Sequence, residues 1–198
     1  MERTHSIVLT GGPCAGKTTI IKEIRNHLES NSKNKVISPP EVATYLFSSG
    51  IGLDTLSCLE FQILVFKTIL DNEFRFASLA ESLINKFENV YLIWDRGLLD
   101  GKAYCDLETW NKVLNYFSLE EKDILIRYSS VLHLESVAVR HKDRYGNHNN
   151  EHRQEVSPED AADSCHRTFQ AWSEHPNLMY VPAFSNFSDK IQYVLRKI

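Results

Sequence analysis

Apolar residues occur along the chain in two rhythms. Short continuous runs mark buried strands: Ile7-Val8-Leu9, Val36-Ile37 with Ser38, residues 90–94, residues 131–134 and residues 178–181. Between them lie longer stretches with apolar residues three or four apart, the helical period. Residues 17–29 carry Ile20, Ile21, Ile24 and Leu28 on one face. Residues 42–47 form a short helix broken by Gly50-Ile51-Gly52, and residues 53–87 read as mostly helical with a bend. Residues 106–128 hold one or two helices, the second started by a capping box at Ser118-Leu119-Glu120-Glu121. Ser157 caps and Pro158 opens a helix reaching about Glu174, stopped by His175-Pro176. A turn over residues 183–188 leads to a last helix with Ile191, Val194, Leu195 and Ile198. Strands alternating with helices predict an α/β fold: a parallel five-stranded sheet flanked by helices on both faces.

The turn between the first strand and the first helix is Gly11-Gly12-Pro13-Cys14-Ala15-Gly16-Lys17-Thr18-Thr19. It satisfies G-x-x-x-x-G-K-[ST], the phosphate loop of P-loop (Walker A) proteins, in the strand–loop–helix setting that pattern requires. Gly11, Gly12 and Gly16 let the backbone turn tightly and bring N–H groups onto phosphate oxygens. The helix N-terminus adds partial positive charge. Lys17 is placed to reach the β- and γ-phosphates, and Thr18 to bind Mg²⁺, which keeps several waters. The alternative is a glycine-rich turn that happens to end in Lys-Thr, which the two flanks disfavour.

Composition narrows the class. The chain has 198 residues, 42% hydrophobic and 24% charged, and is read as one domain, residues 1–198. A formal charge of −4 argues against nucleic acid as the primary partner. The first strand begins too early for a signal peptide, and no apolar run reaches the length of a membrane span. Four cysteines without C-x-x-C spacing, one of them inside the loop, fit reduced thiols and a cytoplasmic protein.

Other candidates follow the strands. Glu41 lies at the carboxyl end of the second strand, the edge where open α/β sheets bind ligands. It is the first choice for the carboxylate that takes or orients an acceptor's proton; its alternative is a first-turn acid of the next helix. Asp95 ends the third strand and fits a second Mg²⁺ anchor or a turn cap; it is also the second choice for the base. Arg96 could stabilise transferred phosphate charge or simply pair with Asp95 or Asp100. Gln62 sits in the apolar band of residues 53–87, which reads as core or as a partner groove; a buried amide there needs partners, from backbone or ligand. His133 alternates within a buried strand and reads as a satisfied core histidine. Residues 136–157 gather Arg140, His141, Lys142, Arg144, His148, His152 and Arg153 on an acidic protein, which reads as a basic lid over phosphates or as a solvated loop. The histidine spacing disfavours a zinc site.

Several of these motifs occur together. Leu9-Thr10 ahead of the loop, Pro40-Glu41-Val42-Ala43-Thr44, Phe61-Gln62, Asp95-Arg96-Gly97-Leu98-Leu99-Asp100 with Ala103-Tyr104, then Asn149-Asn150, Arg153, Glu155, Trp172 and His175-Pro176 span nearly the whole chain. In this it resembles the P-loop AAA-like domain of the NadR-type ribosylnicotinamide kinases and photoreceptor translocation-defect proteins. The resemblance implies a nucleoside-kinase-like fold binding ATP or GTP with Mg²⁺. Glu41, Phe61-Gln62 and Asp95-Arg96 are similar to the base, nucleobase-contact and phosphate-contact positions of deoxynucleoside kinases. By that likeness Gln62 would read an acceptor ring, Arg96 would meet its 5′ end, Arg153 would be a lid arginine, and residues 183–187 would border the donor base. No adenylyltransferase domain accompanies these residues, so the acceptor stays open.

The expected activity is transfer of the γ-phosphoryl group of ATP or GTP to a small nucleoside-like hydroxyl acceptor. Lys17, Glu41, Asp95, Arg96 and Arg153 form the catalytic set. Thr18 and Asp95 are the metal ligands, and Glu41, Gln62 and Arg96 the acceptor contacts. The alternatives are a nucleotide-dependent switch with slow hydrolysis and a protein or lipid partner, and a nucleotide hydrolase.

Overall fold

The computed structural model describes residues 3–146 and 157–198. Five strands, β1 (Thr4–Gly11), β2 (Asn34–Ile37), β3 (Asn89–Asp95), β4 (Ser130–Leu134) and β5 (Leu178–Val181), form one sheet in the order β2-β3-β1-β4-β5. All four pairings are parallel. The connecting helices are α1 (Lys17–Glu29), α2 (Val42–Ser48), α3 (Cys58–Leu83), α4 (Leu107–Phe117), α5 (Glu121–Leu125), α6 (Val137–Arg140), α7 (Pro158–Ala171) and α8 (Phe187–Leu195), with a 3-10 segment at Leu98–Tyr104. The runs of β1, β3 and β4 become the inner strands, covered on both sides, and the two four-residue runs, β2 and β5, form the edges. One layer packs Val8, Leu92 and Trp94 against α3, α4 and Trp172. The other packs Leu9, Ile93 and Leu132 against Ile20, Ile21 and Ile24 of α1 and Val194 of α8. The aromatic band of α3 is mostly core: Phe61, Phe66, Ile69 and Ala80 are buried, while Phe74 is exposed.

Local chemistry sets the boundaries. The Ser57 hydroxyl accepts from Glu60 N, and the Glu60 carboxylate accepts from Ser57 N at 2.9 Å, so α3 starts at Cys58. Residues 53–57 are therefore turn, where helix was expected. The predicted box at Ser118 is misplaced. Ser118 adopts the left-handed conformation (φ 54°) and closes α4, and the box is made by Glu120 and Asp123. The helix expected to reach Glu174 stops at Ala171, where Trp172 leaves helical geometry and turns into the core. Residues 98–104 were not predicted as an element, because a 3-10 segment carries neither helical nor strand periodicity.

His133 is the core histidine expected from its strand. It is 1% exposed, stacked on Tyr180 at 5.8 Å, with Nε2 3.0 Å from Cys165 O and 3.2 Å from Thr168 Oγ1. Nδ1 is buried without a hydrogen-bond partner among the described residues. Burial lowers its pKa from 6.5 to about 4. The unfolded chain therefore takes up a proton that the native state refuses between these values. Stability should fall by up to roughly 3 kcal/mol as pH drops from 6.5 to 4, with no contribution above 6.5. Urea midpoints at pH 7 and pH 5 test this: the decline attributable to this side chain should be missing in His133→Leu.

Candidate active site

The phosphate loop is built by the end of β1. Gly11 (φ 129°) and Gly16 (φ 84°) occupy left-handed backbone, and so does Cys14 (φ 55°). A Cβ on Gly12 would lie 2.7 Å from Cys165 Cβ on α7, so only glycine lets the loop sit this close to that helix. Lys17 Nζ donates to Gly11 O and Gly12 O, both at 3.1 Å. Burial and the neighbouring Arg96 charge push its pKa down, against the pull of Asp95, Glu41 and Asp100. Thr18 and Thr19 are exposed at the mouth of the loop.

The β1–β3 register sets Leu9 beside Asp95. The acid thus reaches the same sheet edge as the loop one strand away. Asp95 Oδ1 is buried with no hydrogen-bond partner among the described residues. Burial raises its pKa to about 6; the Lys17 charge opposes that shift. An orphaned carboxylate oxygen opposite an exposed threonine hydroxyl suits a hard cation that completes its shell with water and phosphate oxygens. No group of three or more His, Cys, Asp or Glu side chains among the described residues could hold a metal without such help.

Arg96 (φ 71°) follows in a left-handed conformation, which swings its side chain across the cleft. Its Nε donates to Glu41 Oε1 at 2.5 Å and its Nη1 to Asp100 Oδ1 at 3.2 Å; the guanidinium carbon lies 5.3 Å from the Tyr104 ring centroid. Its ion pairs are thus with Glu41 and Asp100, not Asp95. Glu41 stands at the N-cap position of α2, but its side chain does not cap the backbone. It accepts from Thr44 Oγ1 at 2.6 Å and from Arg96. Burial pushes its carboxyl up, and the Arg96 and Lys17 charges outweigh this to leave it below the ordinary carboxylate value.

These groups face one cleft of about 580 Å³ that runs from the loop to α2 and α3. Its far wall is apolar, with Phe47, Leu53, Phe61, Val65 and Ile69. Phe47 and Phe61 stack at 5.0 Å. Gln62 presents its amide there, close enough that a Cβ on Gly101 would lie 2.9 Å from its Oε1. The structure therefore brings together Lys17, Thr18, Glu41, Gln62, Asp95 and Arg96. Arg153, with residues 147–156, lies outside the described residues. The described part of the expected lid is not a free basic strap. Arg140 pairs with Glu135, Lys142 with Glu159, and Arg144 donates to Ser185 O.

The sequence profile described as AAA domain matches residues 6–186. The chain belongs to the AAA domain family. Among solved structures, this AAA domain is similar to deoxyadenosine kinase from M. mycoides with products dCMP and a flexible dCDP bound. That match has a TM-score of 0.58 at 15% identity, covering 96% of this chain and 97% of that one. The same kinase with bound dATP gives a TM-score of 0.56 at 15% identity, covering 97% and 98%. No curated protein matches the sequence.

Sequence reading weighed Asp100 only as a partner for Arg96. The fold makes it a hub of the AAA domain's cleft. It is 3% exposed, and Oδ1 accepts from Thr10 Oγ1 at 2.5 Å and Arg96 Nη1. Oδ2 accepts from Gly97 N at 2.9 Å and Trp172 Nε1 at 3.1 Å. The i, i+4 spacing from Arg96 was the available signal; Trp172 and Thr10 converge only in three dimensions. Asp100→Asn would turn an amide NH₂ toward donors and should cost about 3 kcal/mol or more of stability. A chemical-denaturation midpoint equal to wild type would show that the four donors do not depend on the charge.

Proposed function

We propose that the protein is a P-loop phosphotransferase that moves the γ-phosphoryl group of ATP or GTP to a hydroxyl of an uncharged nucleoside-like acceptor. The observation that carries this reading is the shared cleft: the phosphate loop forms one end, and the Glu41–Arg96 pair with an apolar slot and one amide forms the other. The AAA domain family and the nucleoside-kinase fold support it.

The loop N–H groups and Lys17 bind the triphosphate tail, and the slot orders the acceptor ring between Phe47, Phe61 and Gln62. Thr18 and Asp95 are the residues that would hold Mg²⁺, which neutralises phosphate charge when bound. Glu41, held ionised by Arg96 and Lys17, orients the acceptor hydroxyl and accepts its proton as the new P–O bond forms and the bond from the γ-phosphorus to the β,γ-bridging oxygen breaks, leaving the nucleoside diphosphate on the loop. Arg96 then lies beside the oxygen that carries the transferred group. The charged side chains lining the cleft among the described residues are Lys17 and Arg96 against Glu41, Asp95 and Asp100. A dianionic monophosphate on the acceptor would face three acids, with Arg96 already engaged by two of them. The acceptor is therefore read as a nucleoside rather than a nucleotide.

Lys17→Ala should abolish turnover with the thermal transition retained. Glu41→Gln should lower kcat about a hundredfold or more while changing the triphosphate KM by less than about threefold. A panel of nucleosides and their monophosphates with ATP or GTP, read by product mass, should yield phosphorylated nucleosides alone. Hydrolysis without any phosphorylated acceptor would replace this reading with a nucleotide-dependent switch.

A further inference from the structure

The phosphate loop can bind anions only while its N–H groups point inward and its carbonyls outward. Its carbonyl partners are therefore informative. Lys17 holds Gly11 O and Gly12 O, with a longer contact of 3.4 Å from Arg96 Nη1 to Gly11 O. The Lys17 ammonium spends two of its three N–H donors on these carbonyls and keeps one for a phosphate oxygen. Two others are fixed from outside the loop. Ser136 Oγ, at the start of α6, donates to Pro13 O at 2.5 Å. Lys190 Nζ, from α8, donates to Ala15 O and to Glu135 O, both at 2.8 Å.

Lys190 is an unusual residue to find here. It is 2% exposed and makes no ion pair among the described residues. The Glu135 carboxylate nearby is taken by Arg140, by the Tyr180 hydroxyl and by Ala183 N. A buried ammonium without a carboxylate partner carries a desolvation cost, and burial lowers its pKa to about 8. Packing alone would be served by an apolar side chain. Its placement gives the charge a use. Ala15 O belongs to the same peptide unit as the Gly16 N–H at the helix start, so an ammonium on the oxygen polarises that N–H toward the phosphate side.

We propose that Lys190 is a positioning residue of the phosphate site. With Ser136 it keeps the loop in its anion-binding shape, and its ammonium adds positive potential behind the loop. This rests on the loop binding a triphosphate, as argued above.

The test is calorimetric titration of wild type and Lys190→Met with magnesium-loaded ATP and GTP, then with the corresponding diphosphate, monophosphate and nucleoside. Lys190→Met should bind the triphosphate about tenfold or more weakly. The loss should shrink with each phosphate removed, and the KM of the acceptor should stay within about twofold. Wild-type triphosphate affinity in Lys190→Met, or an equal loss for triphosphate and nucleoside, would overturn the proposal. If Lys190→Met does not fold, Ser136→Ala takes its place, with an expected loss of roughly threefold or more for the triphosphate; unchanged affinity there overturns it equally. A wild-type protein that binds no triphosphate would instead sink the reading of the loop itself.

Discussion

The buried carboxylate of Asp100 is the constraint on which the cleft depends. Its two oxygens take four donors from three places: Thr10 on β1, Arg96 and Gly97 just after β3, and Trp172 beyond α7. A charge in that position is tolerated only because every lone pair facing a donor is used. The consequence runs outward along a chain of contacts. Asp100 holds Arg96, Arg96 holds Glu41, and Glu41 stands where α2 begins. The left-handed backbone at Arg96 is part of the same arrangement, since strain of that kind persists only where surrounding bonds over-determine it.

Electrostatics in the cleft follows from the same packing. Lys17 and Asp95 both lie at the sheet edge, and burial moves both toward neutrality. Glu41 moves the other way, because Arg96 lies against it. Two carboxylates of one cleft thus differ in character through their neighbours alone. One is bonded and firmly ionised; the other has a bare oxygen suited to a cation. This division of roles is what phosphoryl transfer asks of its protein, where positioning and charge placement supply most of the rate.

Much of this was legible in the sequence. The five apolar runs and the helical periods gave the order of elements, because parallel strands buried on both faces need continuous apolar residues. The loop was legible because its chemistry is local: eight consecutive residues carry the glycines, the lysine and the threonine. Glu41 and Asp95 could be placed because strand ends mark the ligand edge. What escaped is what depends on distant residues. The capping box at Ser118 failed because Ser118 was needed to end α4, and the better box lay two residues on. Lys190 drew no reading at all, since nothing within the last helix signals that Ala15 and Glu135 lie above it.

The two lysines divide a problem that one could not solve. Lys17 lies in the cleft and bonds the carbonyls of Gly11 and Gly12. An ammonium that would serve both these carbonyls and a phosphate is a divided support for the loop's shape. Anchors that do not themselves touch phosphate escape this conflict. Ser136 and Lys190 meet the requirement: each bonds a loop carbonyl from a neighbouring element. The β4 end thus supports the loop from behind, while β3 supplies the acids in front of it. A parallel sheet that brings three strand ends to one edge provides both at once.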